Sequence, residues 1–169
     1  MTLRTAVLTL TLAALPAVAR AQATATQPVQ PLPIRIAIQT EGARGVATGP
    51  FYNHMLGGRL DVVFSPHVSF GGYLGFASLK GKDGRTGNLL PYASIEYLAG
   101  DPIATTRLLV RFGSGYLPNN GPIARMSGGL AFAVGQRTSL IVEFGPRFWI
   151  TNDQMLLSLN GALELAWRL

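Results

Sequence analysis

Apolar and polar residues alternate along most of this chain from Ile34 onward. The period of two recurs in eight segments, which are separated by polar or glycine-containing stretches. A period of two predicts β-strands that show one face to an apolar environment and the other to a polar one. The predicted strands are Ile34–Thr40, Gly58–Phe64, Val68–Ser78, Leu89–Leu98, Thr106–Tyr116, Ile123–Val134, Ser139–Ile150 and Leu157–Leu169.

The two faces of these strands differ in composition. One face carries large apolar side chains such as Phe70, Val110, Phe132 and Leu165, and the other carries Gly, Ala, hydroxyls and charges. No predicted strand contains lysine, although a solvated outer face would be rich in Lys and Glu. We therefore expect the apolar face to contact lipid and the polar face to enclose a lumen. The predicted lumen charges are Arg35, Arg59, Asp61, Glu96, Arg107, Arg111, Arg125, Glu143, Arg147, Glu164 and Arg168.

Composition agrees with a membrane protein built from strands. Charged residues make up 13% of the chain and apolar residues 48%, whereas a soluble domain has about 25% charged residues. Charges or glycines interrupt every apolar stretch after the N-terminal region, so no later transmembrane helix is predicted. The sequence thus predicts an all-β fold, an eight-stranded antiparallel up-and-down transmembrane β-barrel.

The N-terminal region has the layout of a secretory signal peptide. Arg4 precedes an apolar run, and small residues allow cleavage after Ala21 or Ala23. We predict a signal peptide over 1–21, a flexible Pro/Gln/Thr-rich lead-in over 22–33, and a barrel over 34–169. Loss of Arg4 and Arg20 lowers the formal charge from +6 to +4, and the basic residues are dispersed, so nucleic acid is not an expected partner. The chain has no cysteine for disulfides or thiolate metal sites.

The connections between predicted strands alternate in length. With both chain ends in the periplasm, the longer ones, beginning with Glu41–Gly57 and Leu79–Asn88, fall outside the cell. Their residues are candidates for contacting a partner or lipopolysaccharide phosphates, namely Arg44, Tyr52, His54, Lys80, Lys82 and Arg85. Aromatic residues near the strand ends predict interfacial girdles, which comprise Phe64, Tyr97 and Trp167 on the periplasmic side and Phe76, Tyr116 and Phe148 on the outer side.

The final strand resembles a known assembly signal. It alternates up to the last residue, with apolar or aromatic side chains at Leu163, Leu165, Trp167 and Leu169. This resembles the C-terminal signal read by the outer-membrane barrel assembly machinery, although that signal usually ends in Phe. With the strand count, the chain resembles the small eight-stranded outer-membrane barrels of the outer membrane protein A, X and W type. The resemblance implies assembly in the outer membrane as a monomer among lipid and lipopolysaccharide, and it implies no activity.

Several functions fit such a barrel. We expect a non-enzymatic protein with a structural or surface-interaction role, whose lumen is plugged by Arg–carboxylate pairs. A narrow channel is an alternative, because seven predicted inward arginines face four acids. His67 and Ser69 share a strand face and raise the alternative of a lipid A-modifying enzyme, but they lie on a periplasmic turn without an orienting carboxylate. A soluble periplasmic lipid-binding barrel is the last alternative.

No cofactor or metal site is predicted, because two histidines and no cysteine are a poor ligand set. Three glycine pairs, Gly57–Gly58, Gly71–Gly72 and Gly128–Gly129, predict strand bends or bulges rather than a nucleotide-binding loop.

Overall fold

The strands close into a barrel in their order along the chain. The computed structural model describes residues 32–46, 52–81, 84–118, 121–150 and 155–169. Each strand pairs antiparallel with the next, and β1 pairs with β8, so the predicted fold class is confirmed. The strands are β1 (Ile34–Gly45), β2 (Tyr52–Val63), β3 (Val68–Gly81), β4 (Gly84–Ala99), β5 (Thr106–Leu117), β6 (Gly121–Ala133), β7 (Thr138–Ile150) and β8 (Met155–Arg168).

Some sequence predictions fall on residues that the structure does not describe. They are the signal peptide, nearly all of the lead-in, and Lys82. Within the described ranges, no helix has the length and apolar character of a membrane span.

The pairing register tilts the strands relative to the barrel axis. One circuit of paired residues starts at Arg35 and returns to β1 at Gly45 after passing through Asp61, Gly71, Ser94, Gly113, Arg125, Arg147 and Ser158. The stagger is thus ten residues over eight strands, which corresponds to a tilt of about 40°. A strand tilted this far crosses a bilayer core in roughly 9–11 residues. Strands of 12 to 16 residues therefore extend beyond such a core.

The two ends of the barrel are distinct. At the terminal end, β1 begins, β8 ends, and residues 64–67, 100–105 and 134–137 connect neighbouring strands. At the hairpin end, the connections are residues 46–51, 82–83, 118–120 and 151–154. Neither end has consistently longer connections than the other, so the predicted alternation of long and short connections is wrong.

The error arises because the strands continue past the apolar belt at the hairpin end. Backbone hydrogen bonding runs on through polar hairpins, whereas the apolar alternation stops where the apolar surroundings stop. The backbones of five predicted loop residues consequently lie in strands rather than loops, namely Arg44, Tyr52, His54, Lys80 and Arg85.

The outer wall is an apolar belt. Phe70, Leu74, Ile95 and Leu165 are between 38% and 59% exposed, and burial alternates along the strands. The predicted girdle aromatics lie on this wall at two levels. Phe64, Tyr97 and Trp167 lie toward the terminal end, and Phe76, Tyr116 and Phe148 lie toward the hairpin end.

Two apolar clusters lie inside the barrel. The larger one is in the half nearer the hairpin end and includes Met55, Leu90, Leu117 and Trp149. The smaller one, toward the terminal end, consists of Ala37, Leu109, Ala131, Ile141 and Ala166. They leave the middle of the lumen to polar side chains.

Candidate functional site

Ten charged side chains occupy the lumen, from the level of the smaller apolar cluster to that of the larger one. All ten are at most 8% exposed. They are five arginines, Arg35, Arg59, Arg111, Arg125 and Arg147, and five carboxylates, Glu41, Asp61, Glu96, Glu143 and Glu164. Buried charges are tolerated only when they are paired and hydrogen-bonded, and nine ion pairs of 2.5 to 3.0 Å join these ten groups.

The ion pairs form one continuous series of alternating sign, which we call the charge chain. It runs from Arg59 through Asp61, Arg35, Glu96, Arg111, Glu143, Arg125 and Glu41 to Arg147, and Glu164 branches from Arg111. Its Arg35 and Asp61 members lie nearest the terminal end, and Arg147 lies nearest the hairpin end. Five positive and five negative charges make the chain formally neutral.

Arg111 is the centre of the charge chain. Its Nη2 donates to Glu96, and its Nη1 lies 2.8 Å from Glu143 Oε1 and 3.0 Å from Glu164 Oε2. Glu143 is on β7 and Glu164 is on β8, neither of which pairs with β5. The guanidinium therefore crosses the lumen and joins opposite walls. A planar fork with five donors can do this, whereas a lysine ammonium cannot contact three carboxylates in the same geometry.

Neutral side chains complete several hydrogen bonds of the charge chain. Arg59 Nη2 donates to Ser94 Oγ at 2.7 Å, and Ser127 Oγ donates to Glu143 Oε2 at 2.8 Å. Gln39 Nε2 donates to Glu143 Oε1 at 3.3 Å. These contacts add hydrogen bonds to the ion-paired groups, which makes the burial of charge less costly.

The structure divides the eleven predicted lumen charges into two groups. Nine belong to the charge chain. Arg107 is buried at the terminal end, where its Nη2 donates to the carbonyl oxygens of Pro66 at 2.6 Å and Leu98 at 2.8 Å. Arg168 is exposed, so its predicted place in a buried network is wrong, because β8 reaches the end of the barrel there.

The sequence interpretation missed Glu41. The sequence predicts an external loop at this residue, but it is 3% exposed in β1 and pairs with Arg125 and Arg147. Its signal was the continuation of the period of two through Gln39, Glu41 and Ala43. The sequence predicts seven inward arginines and four acids. With Glu41 included, five arginines balance five acids in the charge chain, and the two remaining arginines, Arg107 and Arg168, lie at the terminal end.

Inward glycines make room for the larger lumen side chains. A Cβ on Gly71 would meet the Asp61 carboxylate, and a Cβ on Gly75 would meet the Tyr73 ring. Tyr73 in turn packs edge-on against Tyr92, with ring centroids 6.5 Å apart. The predicted bulges at the glycine pairs are wrong, since pairing runs past each pair without an inserted residue. In the pairs Gly71–Gly72 and Gly128–Gly129, one glycine faces a crowded lumen and its neighbour faces the open outer wall.

Adjacent glycines on β6 provide a test of this crowding. A Cβ on Gly129 would contact Val142 O and the backbone of Glu143, whereas a Cβ on Gly128 has only Leu109 O near it, at 3.8 Å. We expect Gly129→Ala to lower the free energy of unfolding by about 1–3 kcal/mol through overpacking. Gly128→Ala should leave it unchanged or raise it by up to about 1 kcal/mol. Urea unfolding in lipid vesicles measures both, and equal effects would contradict the assigned faces.

The histidines do not form a catalytic arrangement with Ser69. His67 stacks on Tyr97 and its Nδ1 lies 2.8 Å from Leu98 O, while Ser69 Oγ lies near Arg35 and Glu96. No hydrogen bond joins His67 to Ser69 in the described part of the chain. His54 Nε2 is 3.0 Å from Thr40 Oγ1 on the neighbouring strand. Among described residues, no group of three or more His, Asp or Glu side chains is placed to hold a metal ion.

Solved structures share this architecture. Neisserial surface protein A aligns with a TM-score of 0.56 and 12% identity over 80% of this chain and 96% of that chain. The N-terminal β-barrel domain of Pseudomonas aeruginosa OprF aligns with a TM-score of 0.52 and 12% identity, over 79% and 97% of the two chains. The chain has the fold of the small eight-stranded outer-membrane barrels. A structure described as de novo designed transmembrane β-barrels also aligns, with a TM-score of 0.52 and 15% identity over 85% of this chain and all of that chain.

These likenesses confirm the predicted resemblance at the level of the fold. No protein-family model and no curated protein matches the sequence. On the final strand of this outer-membrane barrel fold, Leu163, Leu165 and Leu169 are 46%, 38% and 68% exposed, and Trp167 is half-buried. The four predicted signal residues thus alternate with the lumen residues of β8, the strand that closes the barrel against β1.

Proposed function

We propose that this protein is a non-conducting, non-enzymatic outer-membrane barrel with a structural or surface-interaction role. One observation supports this proposal above the others. An apolar wall surrounds a lumen that is filled by a neutral, buried charge chain and a cluster of apolar side chains. Such a barrel is matched to lipid on the outside, and its buried charges are neutralised on the inside.

The exposed apolar wall supports a place in a lipid bilayer. Soluble monomers rarely expose contiguous apolar surface larger than a few hundred Å². Here large apolar side chains on all eight strands are exposed. A soluble lipid-binding barrel would have the opposite arrangement, with its apolar residues lining the lumen. The proposed partners are outer-membrane lipid, lipopolysaccharide at the hairpin end, and the barrel assembly machinery during biogenesis.

The composition of the lumen argues against a channel. An ion would have to pass the charge chain, where every guanidinium already contacts a carboxylate, and then the apolar cluster around Met55, Leu90 and Trp149. Opening a path would leave buried charges unpaired, which is strongly unfavourable.

Planar-bilayer recording tests the absence of conduction. We expect the purified protein to give no conductance steps above the lipid background, while a large-pore porin in the same bilayer gives regular steps. Repeated steps of one defined size from this protein would overturn the proposal of a closed lumen.

Fractionation tests the proposed location. We expect the protein in the outer-membrane fraction, with a faster gel mobility before boiling than after it, because the closed barrel stays folded in detergent. Recovery in the soluble periplasmic fraction would favour the lipid-binding alternative.

Mass spectrometry of lipid A, with and without the gene, should show no change if the protein is not a lipid A-modifying enzyme.

A further inference from the structure

Three arginines surround the opening of the barrel at the terminal end. Arg107 comes from β5, Arg137 from the connection between β6 and β7, and Arg168 from the end of β8. They line a cavity of about 150 Å³, which we call the arginine mouth. Lumen-facing residues such as Ala131 and Ala166 also line it, so the mouth belongs to the interior of the barrel rather than to the lipid-facing wall.

The positive charge of the arginine mouth is only partly balanced by nearby acids. Within the described ranges, Arg107, Arg137 and Arg168 form no ion pair. Arg35, which also lines the cavity, is already neutralised by Asp61 and Glu96. The Asp101 carboxylate, in the β4–β5 connection, accepts the backbone N–H of Ile103 at 3.0 Å and offsets part of the charge of Arg107, so three arginines face one carboxylate that has no ion pair among the described residues.

Arg107 is held in place for contact with a ligand. Its Nη2 is fixed by the carbonyl oxygens of Pro66 and Leu98, which orients the guanidinium plane. Its Nε is buried and has no protein partner. Arg137 and Arg168 are exposed and lie beside each other, since Arg168 N donates to Arg137 O at 2.8 Å. The mouth therefore combines one buried, hydrogen-bonded guanidinium with two exposed ones.

We propose that the arginine mouth binds an oxyanion, either a carboxylate or a phosphate group. Guanidinium groups recognise the oxygens of both through charge-assisted hydrogen bonds that are often bidentate. The cavity has room for such a group, because its volume of about 150 Å³ is several times the roughly 30 Å³ that one water molecule occupies. The oxyanion can be carried by a soluble molecule or cell-wall polymer, or by an anionic phospholipid headgroup at the membrane surface.

Calorimetric titration with inorganic pyrophosphate tests this site. The protein is held in nanodiscs of phosphatidylcholine at constant ionic strength. We expect one pyrophosphate per barrel, and an at least tenfold weaker Kd for the Arg137→Gln/Arg168→Gln double variant. Arg107→Gln should also weaken binding. Thr86→Glu lowers the net charge by one at an exposed position of the hairpin end and should change the Kd less than twofold.

Each outcome has a defined meaning once gel mobility shows that the variants are folded. Loss of binding in the mouth variants alone supports the site. Equal weakening by Thr86→Glu, unchanged binding in the double variant, or no saturable binding by the wild type would overturn it. Nanodiscs that contain phosphatidylglycerol separate the two sources. Pyrophosphate binding lost there identifies a lipid headgroup as the occupant, and binding retained there identifies a soluble or polymer-borne anion.

Discussion

Replacing Arg111 with methionine is expected to lower the free energy of unfolding by about 3–5 kcal/mol, the cost typical of removing one partner from a buried ion pair. Methionine can fill much of the space, but it leaves Glu96, Glu143 and Glu164 with one fewer cationic partner each. Glu164 has no other ion pair among the described residues, so it becomes an uncompensated buried carboxylate. Urea titration in lipid vesicles, followed by gel mobility without boiling, measures the loss.

Two variants control this prediction. Arg44→Met makes the same chemical change at an exposed position of β1 and should alter stability by less than about 0.5 kcal/mol. Arg111→Lys keeps the charge but loses the fork, so its stability should fall between those of the wild type and Arg111→Met. A wild-type unfolding midpoint for Arg111→Met would show that the charge chain contributes little to stability.

The fold was predictable because its main determinant is local in sequence. A lipid-facing wall and a polar lumen impose a period of two on every strand, and Phe70, Ile95 and Leu165 show it without knowledge of their neighbours. Strand order also follows from short connections, since consecutive antiparallel strands pair when few residues separate them. Closure between β1 and β8 is then required, because lipid cannot satisfy the open edges.

Pairing partners inside the lumen were not predictable in the same way. Periodicity assigns Arg111 and Glu164 to the inner face, but their contact depends on the stagger of the whole barrel and joins residues 53 positions apart. The limits of the strands failed for a related reason. Apolar alternation indicates contact with lipid, whereas backbone pairing between strands can continue beyond the lipid. The sequence pattern therefore predicts a loop at Glu41, although β1 continues to Gly45.

The charge chain and the glycines depend on each other. Large inward side chains such as Tyr73 and Tyr92 need glycines on neighbouring strands, and Asp61 can lie at its position because Gly71 has no side chain. The many inward Gly and Ala residues therefore indicate crowding and not an open pore.

Substituting Phe112 with arginine tests the orientation of the barrel directly. Phe112 lies near the middle of β5, is 53% exposed, and neighbours Ile95 and Met126 on the outer wall. A charged residue on the lipid face near the bilayer midplane costs about 2–4 kcal/mol. We therefore expect Phe112→Arg to lower the free energy of unfolding in lipid vesicles by this amount.

Phe64→Arg is the matched control, because the same substitution is made at an equally exposed phenylalanine, 54% exposed, at the terminal end. Near the interface the cost falls to about 0–1 kcal/mol. Because both variants replace phenylalanine with arginine, the difference between their free energies of unfolding reports the effect of depth in the bilayer alone. If the outer wall faced water, both variants would be nearly neutral and would improve solubility. Equal, small effects would therefore remove the basis for a membrane location, whereas a depth-dependent loss is what a lipid-facing wall requires.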